Sequence, residues 1–153
     1  MKHYIPLFEE FEHGINYTTE YDDEDQVVSV TASISGEKIG EASAYIMYDQ
    51  YVRQDLSDVI DEDECDRLFP DDLTGSISHV KVDKNYLRQG IAKHMMQDLM
   101  IELRKRNLRY FYLNASTMDT YGATLEQLVE FYKQFGFREL VDQGNNMIMG
   151  ITA

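Results

Sequence analysis

The run Leu87-Arg88-Gln89-Gly90-Ile91-Ala92 has the residue types and the placement to bind an anion. Ahead of it, Ile77 to Val82 reads as a strand. Behind it, Ile91, Ala92, Met95, Met96, Leu99, Met100 and Leu103 recur as the apolar stripe of an amphipathic helix. A strand that feeds a helix through a short turn leaves unpaired backbone N–H groups and the positive end of the helix dipole facing one point. Phosphate is the usual guest of such a point. Gly90 would equally suit an ordinary strand-to-helix turn, so the run by itself leaves both readings open.

The carboxylates pose a second chemical question. Nine of them fall within residues 53–74, and Asp61-x-Asp63 opens like a calcium loop. Cys65 follows, however, and Asp66 stands where that loop needs glycine, so no metal ligands are assigned. Cys65 is the only cysteine. An internal disulfide and a Cys/His zinc set are therefore ruled out, and a reducing compartment is expected.

These residues must be held by a scaffold, and the chain supplies one in order. Ile15 to Glu20 reads as a strand ended by the acidic turn Asp22-Asp23-Glu24-Asp25. Val28, Val30, Ala32 and Ile34 alternate with Ser29, Thr31 and Ser33, a half-buried strand that Ser35-Gly36 turns into another from Lys38 to Met47. The first third is thus an antiparallel meander, preceded over residues 3–13 by either a short helix or an irregular lead-in. Residues 53–74 fit a short helix lying over the domain, with a loop at Pro70. After the central helix, Leu108 to Asn114 reads as an interior strand, and the helix between makes it a parallel neighbour of the strand before. Thr124 with Gln127 forms a capping-box pattern, and the helix it starts carries Leu125, Leu128, Val129, Tyr132 and Phe135 before Gly136 ends it. Phe137 to Val141 and Met147 to Ile151 close the chain as a hairpin.

Charge bounds the partners. The net charge is −14 over 153 residues. Residues 1–75 hold 20 Asp and Glu against 4 Lys and Arg, a net of −16, whereas residues 76–153 hold 8 against 10, a net of +2. Phosphate repulsion argues against nucleic acid as a ligand. The asymmetry suggests an acidic half and a half that tolerates an anion. No apolar run approaches the length of a membrane span, and Met1-Lys2-His3-Tyr4 lacks the apolar core of a signal peptide, so no membrane partner and a cytoplasmic location are expected.

The order of elements, the Gly90-x-Ala92 turn and the run Phe131-Tyr132-Lys133-Gln134-Phe135-Gly136-Phe137 together resemble the GCN5-related N-acetyltransferase (GNAT) family, over roughly residues 26–150. That family's first motif is Arg/Gln-x-x-Gly-x-Gly/Ala. Gly90 and Ala92 match it, while Leu87 stands where Arg or Gln is usual, with Arg88 one place along. The second motif, an aromatic residue, Tyr, three residues and Gly-Phe, is matched in full.

The resemblance implies an α/β fold of GNAT type. That is a mixed, mostly antiparallel sheet with a V-shaped splay between the two central parallel strands, flanked by helices, in a single domain over 1–153 with an acidic insert at 53–74. It implies acetyl-CoA as co-substrate: the backbone of Val80 and Val82 would pair with the pantetheine arm, and the N–H groups of Leu87, Arg88, Gln89, Gly90, Ile91 and Ala92 would cradle the pyrophosphate. Asn114 would mark the splay that admits the cofactor, and Tyr132, otherwise an ordinary core tyrosine, would protonate the departing thiolate. For the base the chain offers His79, Glu41 and the carboxylates of 53–74. Strand alternation sets His79 on the face opposite Ser76 and Ser78. The implied reaction moves an acetyl group to a primary amine of a cationic acceptor, whether a small amine, an amino sugar or a lysine side chain. A homodimer is compatible with this reading. The rival class is an inactive GNAT-like binding or structural protein, or an acidic mimic of nucleic acid that occupies a basic partner. Leu87, the lack of an obvious base and the charge favour the rival; the Gly90/Ala92 turn and Tyr132 favour the enzyme.

Overall fold

Residues 14–117 and 121–153 are described by the computed structural model, so the lead-in expected over 3–13 lies outside them. Strands β1 (Ile15–Asp22), β2 (Val27–Ile34) and β3 (Glu37–Tyr48) form the expected antiparallel meander. Ser35 and Gly36 both take positive φ, 50° and 82°, which matches the hairpin turn to the twist of its strands. Helices α1 (Asp49–Asp55) and α2 (Glu62–Leu68) follow, then β4 (Leu73–Val82), α3 (Ile91–Lys105), β5 (Phe111–Ser116), α4 (Leu125–Lys133), β6 (Arg138–Asp142) and β7 (Asn146–Ile151).

The seven strands lie in the order β1-β2-β3-β4-β5-β7-β6. Among the described residues only β4 and β5 run parallel, joined by the crossover helix α3. Alternation along β5 sends Phe111, Leu113 and Ala115 into one core and Tyr112 into another, and β7 divides Met147 and Met149 from Ile148 in the same way. The sheet is therefore covered on both faces. Met95, Met96, Leu99 and Met100 of α3, with Val129 of α4, fill the larger core. Val52 and Leu56 of α1, with Cys65 and Leu68 of α2, fill the smaller one.

Two sequence expectations are corrected here. The acidic stretch builds two helices, not one, and the first begins at Asp49. The break comes at Asp61, whose side chain accepts from the Glu64 N–H at 2.8 Å and so starts a new helix. The strand expected from Ile77 starts at Leu73, with Thr74 and Gly75 buried within it. Gly75 weakens a strand signal in sequence, yet here a Cβ on it would lie 2.6 Å from the Phe111 ring. Glycine is what lets the two parallel strands approach at that point.

Candidate functional site

Strands β4 and β5 are paired at only three positions: Gly75 with Phe111, Ser76 with Tyr112 and Ile77 with Leu113. Beyond them β4 stays paired to β3 as far as Val82, and β5 stays paired to β7 as far as Ser116, but the two central strands part. A wedge-shaped cleft of about 320 Å³ opens there, lined by Ser78, Val80, Lys81, Asn114, Leu128 and Tyr132 among others. On this side β4 has no strand partner among the described residues from Ser78 onward, so its backbone edge faces the cleft. Asn114 is the first β5 residue past the joint, and its side-chain oxygen accepts from Asn146 at 2.7 Å.

The parting has a local cause. In the β3–β4 ladder Ser43 opposes His79 and Ala44 opposes Ile77, which leaves Ser78 as an extra residue. Such a bulge bends its strand and breaks the alternation of side chains. The expected placement of His79 opposite Ser78 is corrected by it: the Ser43 hydroxyl reaches both, at 2.7 Å from Ser78 Oγ and 3.2 Å from His79 Nδ1. His79 Nε2 lies 2.8 Å from Glu41 Oε1. Lys38, 2.8 Å from the other Glu41 oxygen, holds that carboxyl below its usual range, with His79 adding to the effect. An ionised Glu41 can only accept, so it fixes the proton on Nε2 and leaves Nδ1 able to accept from Ser43. Ser43 is buried, and its oxygen is also 3.4 Å from Nε2, the nitrogen that Glu41 occupies.

Tyr132 lies half-buried on α4, edge-on to Phe131 and Phe137, and lines the cleft. Its helix starts at the capping box read in the sequence, where the Thr124 hydroxyl accepts from Gln127 N–H and the Gln127 side chain accepts from Thr124 N–H. Burial pushes the Tyr132 hydroxyl up to about 12, so it keeps its proton at neutral pH.

At the start of α3, Gly90 takes φ 77° and Arg88 φ 63°. The first intrahelical bond runs from His94 N–H to Gly90 C=O, which leaves the amides of Ile91, Ala92 and Lys93 without a preceding helical acceptor. A Cβ on Gly90 would meet nothing within 4 Å, so the cradle is open on that side. Arg88 and Gln89 are exposed, Leu87 is half-buried, and Ile91 anchors the helix in the core at 1% exposure. Paired left-handed residues, free amides and a fifteen-residue helix make this turn fit a pyrophosphate.

On the β3 side of Ser78 lies a second hollow of about 550 Å³, walled by Tyr45, Tyr48, Tyr51, Asp25, Asp55 and Ser76. Ser78 lines both spaces. Sequence reading did not single out the tyrosines. Their signal was the alternation of Ser43, Tyr45 and Met47 with the core residues Ala42, Ala44 and Ile46.

The sequence profile of the acetyltransferase (GNAT) family matches residues 1–137. The chain belongs to this family. No curated protein matches the sequence. Solved GNAT structures with the same fold include the PaiA N-acetyltransferase of Thermoplasma acidophilum in complex with coenzyme A, at 13% identity and a TM-score of 0.56 over 84% of this chain. The ribosomal-protein-S18-alanine N-acetyltransferase of Escherichia coli gives 15% identity and a TM-score of 0.55, covering 84% of this chain and 70% of that one. Arabidopsis thaliana Naa50, in complex with the bisubstrate analogue CoA-Ac-MVNAL, gives 14% and 0.53, covering 80% of this chain and 70% of that one. This chain spans 62% of the length of the Thermoplasma protein. Within the GNAT fold this chain carries its α1 and α2 between β3 and β4. None of the helices in its described residues is long and apolar enough to cross a membrane.

Proposed function

We propose that this GNAT protein is an acetyl-CoA-dependent N-acetyltransferase acting on a primary amine of a cationic acceptor. The observation that carries the reading is the wedge between β4 and β5, which has an open backbone edge on one wall, Tyr132 on the other and an anion cradle nearby. Acetyl-CoA, when bound, supplies a thioester whose carbonyl carbon bonds to the amine nitrogen as the carbon–sulfur bond breaks. The turn from Leu87 to Ala92 binds the pyrophosphate through backbone amides, which asks nothing of the Leu87 side chain. The edges of Val80 and Val82 hold the extended arm as an added strand, and Asn114 marks where the wedge admits it.

Two proton transfers remain for the chain's own groups. The amine must shed a proton to attack, and Ser78 lies where the two hollows meet. From Ser78 the proton passes through the Ser43 hydroxyl to His79 Nδ1, while Glu41 stabilises the imidazolium that forms. Tyr132 O–H donates the proton that the leaving thiolate takes up.

The test is a thermal shift with acetyl-CoA followed by an acetylation screen over diverse amines. Ligand at a hundred times its dissociation constant adds about 2.7 kcal/mol of stability. Gly90→Glu sets a carboxylate into the cradle and abolishes that shift with the fold retained. No stabilisation of the wild type, or an undiminished shift in the variant, overturns the reading.

A further inference from the structure

The hollow beside Ser78 has an unusual lining for a protein this acidic. Tyr45, Tyr48 and Tyr51 are 47%, 55% and 50% exposed, and they account for three of the five large hydrophobic residues left exposed in the described chain. They share the hollow with two carboxylates, Asp25 and Asp55, and no Lys, Arg or His lines it among the described residues. Asp55 is held in place by the Tyr112 hydroxyl, which donates to its Oδ2 at 2.6 Å. Aromatic faces and fixed carboxylates without a counter-ion attract organic cations.

The reacting nitrogen must give up its charge before it attacks, so any attraction to that charge is lost on the way to the transition state. A second positive centre that stays protonated keeps its gain from the tyrosines and carboxylates throughout. Asp25 enters the hollow from the turn that leads into β2, and β2 and β4 are two strand spacings, about 10 Å, apart across the sheet. We propose that the hollow binds an elongated acceptor with two positive centres. Its primary amine reaches Ser78, its apolar stem lies across the tyrosines, and its second, protonated centre rests between Tyr45, Tyr51 and Asp25. This rests on the acetyltransferase reading and narrows the acceptor to a diamine-like class. Of the nine carboxylates of residues 53–74, Asp55 is the one that lines this hollow.

The experiment compares cadaverine with the amino alcohol of the same length, both as acetyl acceptors and, by calorimetry without acetyl-CoA, as ligands. The diamine is expected to be preferred by about tenfold, the sum of a few cation–π and ionic contacts. Tyr45→Leu keeps apolar bulk but removes the aromatic face, so the preference collapses toward unity, as it does in Asp25→Asn. Tyr45→Phe restores the face and with it the preference. Acetyl-CoA binding, followed separately, reports whether each variant is folded. Equal use of the two probes by the wild type, or a preference unmoved in Tyr45→Leu, overturns the inference while leaving the acetyltransferase reading intact. If no amine is acetylated, the calorimetric preference still decides the point, and a wild type that binds neither probe, or both equally, overturns it.

Discussion

Tyr132 and His79 line one cleft, and the proposed mechanism gives them opposite tasks. Burial keeps the Tyr132 proton in place up to a pKa of about 12, so the group is a competent donor across the physiological range. Tyr132→Phe deletes the donor and keeps the packing against Phe131 and Phe137. Turnover is expected to fall roughly 10²-fold with acetyl-CoA affinity little changed, as steady-state kinetics and a binding assay would show. The same substitution has a second readout. A hydroxyl whose pKa is raised on folding contributes stability that is complete below the unfolded tyrosine value near 10 and is lost as pH rises toward 12. Alkaline melts of the Phe variant should therefore fall less steeply with pH than those of the wild type. Tyr112, pushed upward by burial and then by its bond to Asp55, remains in both proteins and keeps part of that slope.

Among the elements, β4 lines both hollows and carries both the joint to β5 and the bulge. Gly75 draws it against β5, and the bulge at Ser78 turns it away three residues later. Gly75→Ala would drive a methyl group into the Phe111 ring, and overpacking of this kind costs about 1–3 kcal/mol. Denaturant unfolding would register the loss. A Gly75→Ala protein as stable as the wild type would mean that the joint yields easily. Helices α3 and α4 were legible in the sequence because their information is local: an apolar stripe, a Thr124–Gln127 box, a terminal Gly136. The meander was legible from alternation, and the parallel pair from the helix between its strands. The bulge was not, because Ser78 is extra only relative to β3, and an alternation argument made on β4 alone set His79 on the wrong face. The tyrosine-lined hollow escaped for a related reason. Tyr45 reads as a half-buried strand residue until it is known which part of the sheet α1 and α2 leave uncovered.

For the molecule as a whole, charge is segregated along the chain. The acidic half holds the meander, α1 and α2, and the anion cradle falls in the half of net charge +2. Asp61, Glu62, Asp63 and Glu64 line neither hollow, so any influence they have on an acceptor acts through the long-range field. Replacing them by Asn and Gln keeps a capping oxygen at residue 61. The acceptor's KM should rise and its salt dependence flatten, with acetyl-CoA affinity level or slightly improved. Kinetics at ionic strengths on either side of physiological, where the screening length is about 8 Å, would reveal it. An unchanged KM and salt slope would reduce the four residues to an ordinary solvated surface. At this scale the sheet of the described residues is also two leaves, one of four strands and one of three, riveted by three residue pairs. The wedge lies between plates whose spacing is set where the Phe111 ring rests on Gly75. The two leaves also share the larger core, where Val28, Val30 and Ala42 of one and Leu113, Met147 and Met149 of the other belong to the same packed cluster. The width of the cleft is thus set from a point that does not line it, so a substitution at Gly75 or Phe111 alters the cleft without touching anything inside it.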